Sequence, residues 1–182
     1  VRIGDRIVGP GQPAYVIAEA GANHNRDLAV AHRLIDVAAD AGADAVKFQT
    51  YRAEAMYSRF TPRFREMDEF GRSPPGETPF DLIKRVELPR ELQQELRDHA
   101  DERGIDFLST PFDLDAVAEL AALGVKAFKI ASYDITYYDL LRACAKHRRA
   151  IVLSTGNSTL ADVELAVDTI RSLGNDQLVL LH

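Results

Sequence analysis

Six short apolar runs alternate with segments of helical spacing, and this rhythm constrains the fold more than any other feature of the chain. Residues 15–21, 45–50, 107–112, 127–132, 151–156 and 177–182 read as strands. Between them, 28–41, 89–103, the segment from Asp113 to Leu123, 136–147 and the segment from Thr159 to Leu173 carry apolar residues at three- and four-residue spacing. Asp27, Asp113 and Thr159 stand where N-caps belong, and Gly42, Gly104, Gly124 and Gly174 follow the helix ends. Strand–helix–strand repetition gives parallel strands covered by helices, either an open doubly wound sheet or a (β/α)8 barrel.

Two further observations favour the barrel. No GxGxxG follows the first strand, which weighs against a dinucleotide fold. Polar residues also collect at the C-terminal ends of all six runs: Glu19, Lys47 with Gln49, Thr110, Lys129 with Ser132, Ser154 and His182. A barrel assembles its site from the ends of many strands, whereas an open sheet uses few, beside a switch point. The expected fold is therefore α/β, a (β/α)8 TIM barrel of which about six βα units fall within residues 1–182. Six units do not close such a barrel, and a terminal apolar strand would leave an open sheet edge, so a longer parent chain is expected. Residues 1–13 read as a hairpin turning at Gly4-Asp5. Residues 51–88 break the rhythm, with four of the eight prolines and the scattered arginines Arg52, Arg59, Arg63, Arg65 and Arg72. One short helix is expected there, at 79–86; the excursion reads as a lid or substrate-binding segment, or as a decorative insertion.

Composition mainly excludes. With 46% hydrophobic and 27% charged residues, the chain has the make-up of a folded globular domain. A net charge of −6 without any dense basic run argues against nucleic acid or an acidic membrane surface as the partner. Cys144 is the sole cysteine, so neither a disulfide framework nor a cysteine-built metal site is expected. No apolar run approaches the ~20 residues of a membrane span and no signal peptide opens the chain, so the expected location is the cytoplasm.

Chemistry concentrates on the strand ends. Lys47 and Gln49 are two apart and project from one strand face. A buried ammonium needs a counter-charge, so something negative is expected above this strand. Lys129 repeats the context, Ala-Phe-Lys-Ile beside Ala-Val-Lys-Phe. Either both lysines snorkel to solvent or, converging in one mouth, they share a multiply charged anion such as a phosphate carrying a carboxylate. Thr110, Ser132 and Ser154 add hydroxyls, and Ser154-Thr155-Gly156 is small enough for backbone N–H groups to approach a phosphate. Each of these alone also reads as a cap or turn residue, and Gln49 as a satisfied core amide. Glu19 is either a structural partner of a nearby lysine or a general base or sugar-hydroxyl ligand. Asp134 follows Ser132 by two and reads as a cap for the helix after it. His24 and His182 lie near strand ends without the spacing of a metal site, and His32, His99 and His147 look like helix-surface residues.

Taken as words, Ile17-Ala18-Glu19-Ala20-Gly21-Ala22-Asn23-His24-Asn25, Ala43-Asp44-Ala45-Val46-Lys47-Phe48-Gln49-Thr50, Ser109-Thr110-Pro111-Phe112, Phe128-Lys129-Ile130-Ala131-Ser132, Leu153-Ser154-Thr155-Gly156 and Leu180-Leu181-His182 resemble the sialic acid synthase family, in series and in order. The resemblance covers almost the whole chain. It implies a (β/α)8 barrel that condenses phosphoenolpyruvate with an N-acetylated aminosugar aldehyde, releasing phosphate and forming a nonulosonic acid. It implies a divalent metal, Mn2+ or Mg2+, that polarises the aldehyde. By the same resemblance Lys47, Thr110, Lys129, Ser132 and Ser154 would hold the phosphate and carboxylate of phosphoenolpyruvate, and Glu19 and Gln49 would face the reacting carbons and the sugar. Asp134 stands where the family often has Glu in a Gly-Ser-Gly-Glu-like run, proposed to handle water or a proton. Here the run is Ala131-Ser132-Tyr133-Asp134, a departure that looks closer to the pseudaminic acid branch than to the N-acetylneuraminate branch. The family's two metal-binding histidines fall beyond His182, as does its C-terminal antifreeze-like domain, which in a homodimer reaches the partner's site. Two other readings stand beside this one: a Schiff-base aldolase using Lys47 or Lys129 as nucleophile, and a non-catalytic anion-binding barrel remnant.

Overall fold

A two-residue turn at Gly4-Asp5 joins β1 (Arg2–Ile3) to β2 (Arg6–Ile7) in an antiparallel hairpin. Then come β3 (Ile17–Gly21), α1 (Leu28–Asp40), β4 (Ala45–Thr50), α2 (Ala53–Met56), α3 (Pro79–Val86), α4 (Gln93–Glu102), β5 (Asp106–Pro111), α5 (Leu114–Leu123), β6 (Ala127–Ile130), α6 (Tyr138–Lys146), β7 (Ala150–Ser154), α7 (Leu160–Arg171) and β8 (Leu178–Leu181). The computed structural model describes residues 1–63 and 74–182. Among the described residues no helix is long and apolar enough to cross a membrane.

The six strands β3 to β8 form one parallel sheet in strict sequence order. Right-handed crossovers that always add the next strand on the same side place every connecting helix on the same face. A doubly wound sheet would instead reverse its order midway, so the sheet is the curled arc of a barrel. Alternation along each strand sorts the side chains. Val46, Phe48, Phe107, Phe128, Ile130, Ile151 and Leu153 point outward and pack against Ile35, Leu96, Leu120, Leu141 and Ile170 of the helices. Ala45, Leu108, Ala127, Ala150 and Val152 point inward and pack against Ile3 of the hairpin.

Three of those inward residues are alanines, which leaves room for the hairpin to plug the N-terminal end of the arc. The plug is pinned by polar contacts at several strands. Arg6 pairs with Asp44, the Val16 N–H donates to Asp44 Oδ2 at 2.7 Å, and the Tyr15 hydroxyl donates to Asp106 Oδ2 at 2.5 Å. The Arg2 N–H donates to Gln177 Oε1 at 2.8 Å, just ahead of β8. With this end filled, the accessible mouth is the one at the C-terminal strand ends.

Several local expectations shift. β6 stops at Ile130 and the chain tightens into a 3-10 turn, Ser132–Asp134, so Ser132 and Asp134 sit on a turn beyond the strand. The helix expected over 89–103 opens as a 3-10 turn, Arg90–Leu92, before α4 begins. There the Arg90 guanidinium donates to Asp113 at 2.5 Å and Glu119 at 2.9 Å, tying the turn to the next βα unit. The excursion holds α2 as well as the expected α3, and Arg65 and Arg72 lie outside the described residues. Its ends meet where the Ala53 N–H donates to Glu87 Oε2 at 2.8 Å. The last strand is a sheet edge, as expected of it, and Leu180 and Leu181 on it are exposed. His32 and His99 are no mere surface residues: their rings stack at 4.4 Å between α1 and α4. Each reaches a carboxylate of the opposite helix, His32 to Glu95 at 3.2 Å and His99 to Asp36 at 3.0 Å. His147 leans on Phe128, with ring centroids 5.6 Å apart.

Candidate active site

Register places the strand-end residues side by side around the inner face. Glu19 on β3 is opposite Lys47 on β4, and Gln49 is opposite Thr110 on β5. Ser109 pairs with Phe128, which sets Thr110 beside Lys129 on β6. Lys129 is opposite Val152 on β7, and Ser154 lies one inward-facing step further on.

The first ammonium has its counter-charge within the chain: Lys47 is buried and forms an ion pair with Glu19. Glu19 keeps a half-exposed carboxylate toward the mouth. The turn that allows this depends on Gly21, whose φ is +54° and which follows a register shift after Glu19. A Cβ at Gly21 would stand 3.1 Å from Glu19 Oε1 and 3.9 Å from Gln49 Nε2, so a side chain there is disfavoured by both backbone and space.

The second ammonium has no such answer. Lys129 is 8% exposed, and its Nζ donates to Ile130 O at 2.8 Å and to Ser154 Oγ at 2.6 Å. Among the described residues no carboxylate pairs with it. Burial, then repulsion from Lys47, pushes its pKa down to about 8, with Glu19 opposing the fall. The two lysines therefore act on each other within the arc, and the group Lys129 lacks is an anion.

Ser132 borders a cleft of about 330 Å³ with Tyr133, Thr136, Gly156, Asn157 and Ser158. A Cβ at Gly156 would lie 3.4 Å from Ser132 Oγ, so the two loops approach closely. Asp134 does not line this cleft. It is buried, its Oδ2 has no hydrogen-bond partner, and burial pushes its pKa up to about 6. Such a carboxyl exchanges a proton near neutral pH. Tyr57, at the end of α2, has a pKa raised by burial and then by Tyr133, so the excursion reaches toward the loop after β6.

His24 is a satisfied buried residue. Its Nδ1 accepts the Arg26 N–H at 3.0 Å, and burial lowers its pKa and keeps it neutral. His182 is exposed beyond β8. Among the described residues no group of three or more His, Cys, Asp or Glu could hold a metal ion, so these residues do not fit a metal centre. Sequence reasoning missed Gly21, whose run -Glu-Ala-Gly- carried a signal, and a buried contact of Thr50, Ser109 and Gln93 on the outer face, which carried none.

Comparison with known proteins places this geometry in company. The model of the NeuB family matches residues 34–182. An N,N'-diacetyllegionaminic acid synthase from Legionella pneumophila is 38% identical over 178 residues, 96% of this chain and 49% of that protein. A pseudaminic acid synthase from Helicobacter pylori is 32% identical over 173 residues, 93% and 49% respectively. The crystal structure of an N-acetylneuraminic acid (sialic acid) synthetase from Leptospira borgpetersenii superposes with a TM-score of 0.86 at 33% identity, covering 100% of this chain and 58% of that one. The chain spans about half the length of the curated relatives it matches. The lean toward the pseudaminic branch gains nothing here, because the legionaminic acid synthase is the more similar of the two.

Proposed function

Because the chain belongs to the NeuB family, we propose that it is the barrel part of a synthase that condenses phosphoenolpyruvate with an N-acetylated aminosugar aldehyde. The products are a nonulosonic acid and phosphate. The observation that carries this reading is Lys129, a buried cation with no carboxylate partner among the described residues, beside a second buried lysine. Phosphoenolpyruvate brings a phosphate and a carboxylate on one small carbon frame, which supplies the anion that Lys129 lacks beside the Lys47–Glu19 pair.

In this reading Lys47, Thr110, Lys129, Ser132 and Ser154 hold the two anionic groups, and Gln49 faces the acceptor. C3 of phosphoenolpyruvate attacks the aldehyde carbon, the aldehyde oxygen takes up a proton, and water adds at C2. Phosphate then leaves and C2 becomes a ketone. Glu19, at the mouth and oriented by Lys47, is placed to exchange a proton with the sugar oxygen or the water. Asp134, tuned close to neutrality, is the second proton-exchanging group. The Mn2+ or Mg2+ that the resemblance implies would polarise the aldehyde. Among the described residues no group supplies its ligands. The proposal includes a C-terminal antifreeze-like domain, a homodimer and a cytoplasmic setting for the whole protein. It involves no nucleic acid and no membrane.

Incubating the full-length protein with phosphoenolpyruvate, Mn2+ and either N-acetylmannosamine or a di-N-acetyl trideoxy sugar is expected to release phosphate. Silence with every aldose of this class would sink the reading. The lowered pKa of Lys129 favours one competitor, a Schiff-base aldolase with Lys129 as nucleophile. Borohydride should trap a substrate adduct on Lys129 in that case and none in the proposed one. Phosphoenolpyruvate binding without turnover would instead indicate an anion-binding remnant.

A further inference from the structure

We propose that Gln93 is a positioning residue for the condensation, setting Gln49 and Thr110 through the hydroxyls of Thr50 and Ser109. The layer between the sheet and α4 is otherwise apolar, built from Phe48, Phe107, Leu96 and Ala100. Within it Thr50 and Ser109 are fully buried, and their hydroxyl oxygens lie 2.7 Å apart across the β4–β5 pair. Thr50 Oγ1 donates onward to Gln93 Oε1 at 3.2 Å. Gln93, 4% exposed, is the first residue of α4.

Thr50 follows Gln49 and Ser109 precedes Thr110, so the outward pair is the reverse side of the inward pair that faces the mouth. A displacement of either hydroxyl is carried through one peptide unit to a site residue. The network is also imperfect. Gln93 Nε2 is buried and has no partner. Turning the amide over would only exchange which of its two polar atoms is left unpaired. Apolar residues of the same size would fill this space without an orphaned amide. What the polar triad adds over them is direction: a hydrogen bond fixes where each strand end sits, and apolar packing does so less sharply.

This inference rests on the synthase reading, so its test has one arm that needs turnover and one that does not. Gln93→Met removes the bond and the orphaned amide at nearly constant volume. In the full-length protein it should melt no lower than wild type while KM for phosphoenolpyruvate rises about tenfold and kcat falls several-fold. Thr50→Val should reproduce that pattern, and Thr50→Ser, which keeps the hydroxyl, should restore wild-type kinetics. In the arm without turnover, the Thr110 backbone amide and Gln49 side-chain amide resonances should shift in Gln93→Met, and Thr110 N–H exchange should quicken. Unmoved resonances and unchanged exchange would overturn the proposal even in an inactive protein. So would a Gln93→Met variant with wild-type KM and kcat, or one whose losses are matched by a lower melting temperature and restored by cooling. A wild-type protein that turns over no substrate would refute the synthase reading alone, leaving the spectroscopic arm to decide on Gln93.

Discussion

Lys129 and Asp134 are both held in surroundings that favour their neutral forms, and each works against the fold near neutral pH. Asp134 has its pKa raised from 3.8 to about 6 by burial. Its contribution to stability is complete below its unfolded value and is lost as pH rises through about 6. Lys129, lowered from 10.5 to about 8, behaves in the opposite sense. Its contribution is complete above its unfolded value and is lost as pH falls through about 8. Asp134→Asn and Lys129→Met should therefore each raise stability at pH 7, by about 1 kcal/mol after discounting for partial solvent access. Thermal melts check this. Activity should move the other way: Lys129→Met should lower kcat/KM for phosphoenolpyruvate at least ~100-fold, and Asp134→Asn should lower kcat by a comparable factor. In the wild type, kcat/KM should fall as pH drops through about 6, where Asp134 gains a proton. It should fall again as pH rises through about 8, where Lys129 loses its charge. A flat profile between pH 5 and pH 9 would remove both residues from the reaction. At this scale the faces of Lys47, Gln49, Thr110 and Lys129 were legible, because alternation by two fixes them once the strands are known. Glu19 was legible as a partner for a nearby lysine, but which of the two lysines would take it, leaving Lys129 without an acid among the described residues, was not, because that depends on register between strands.

Elements were legible where composition punctuates them. Asp27, Asp113 and Thr159 accept backbone N–H groups at their helix starts as their sequence positions suggest. The segments that escaped are the 3-10 turns at Arg90–Leu92 and Ser132–Asp134 and the four-residue α2, all too short to show a period. These short elements do structural work out of proportion to their length. Arg90 leaves its turn to meet Asp113, the cap of α5, and Glu119 within α5. Arg90→Met should cost about 2 kcal/mol, because it strands Asp113, a carboxylate that has given up most of its water, and removes the second bond to the more exposed Glu119. Urea titration should show a lower midpoint with an unchanged slope. The stacked His32 and His99 join α1 to α4 in the same manner, through partners that lie 63 residues apart in sequence, a separation that no local pattern reveals.

For the whole molecule, strand order was predictable because consecutive right-handed βα units leave little choice. The hairpin was predictable as a hairpin but not as a plug, since Ile3 is an ordinary apolar residue until the arc provides a space for it. That plug has a kinetic consequence. Each sheet strand is recruited beside its sequence neighbour, so the arc can grow by short closures. The bond from Arg2 to Gln177 instead spans 175 residues and presupposes both β3 and the approach to β8. Closing so large a loop is favourable only once the intervening chain is ordered. Docking of the first seven residues should then follow the rate-limiting barrier of folding. Ile3→Ala is expected to speed unfolding by more than tenfold and to leave the refolding rate almost untouched. Tyrosine fluorescence in stopped flow can follow this, since the chain has no tryptophan and the Tyr15 hydroxyl binds Asp106 beneath the plug. The part of the chain that leads the sequence would thus be among the last to reach its native place.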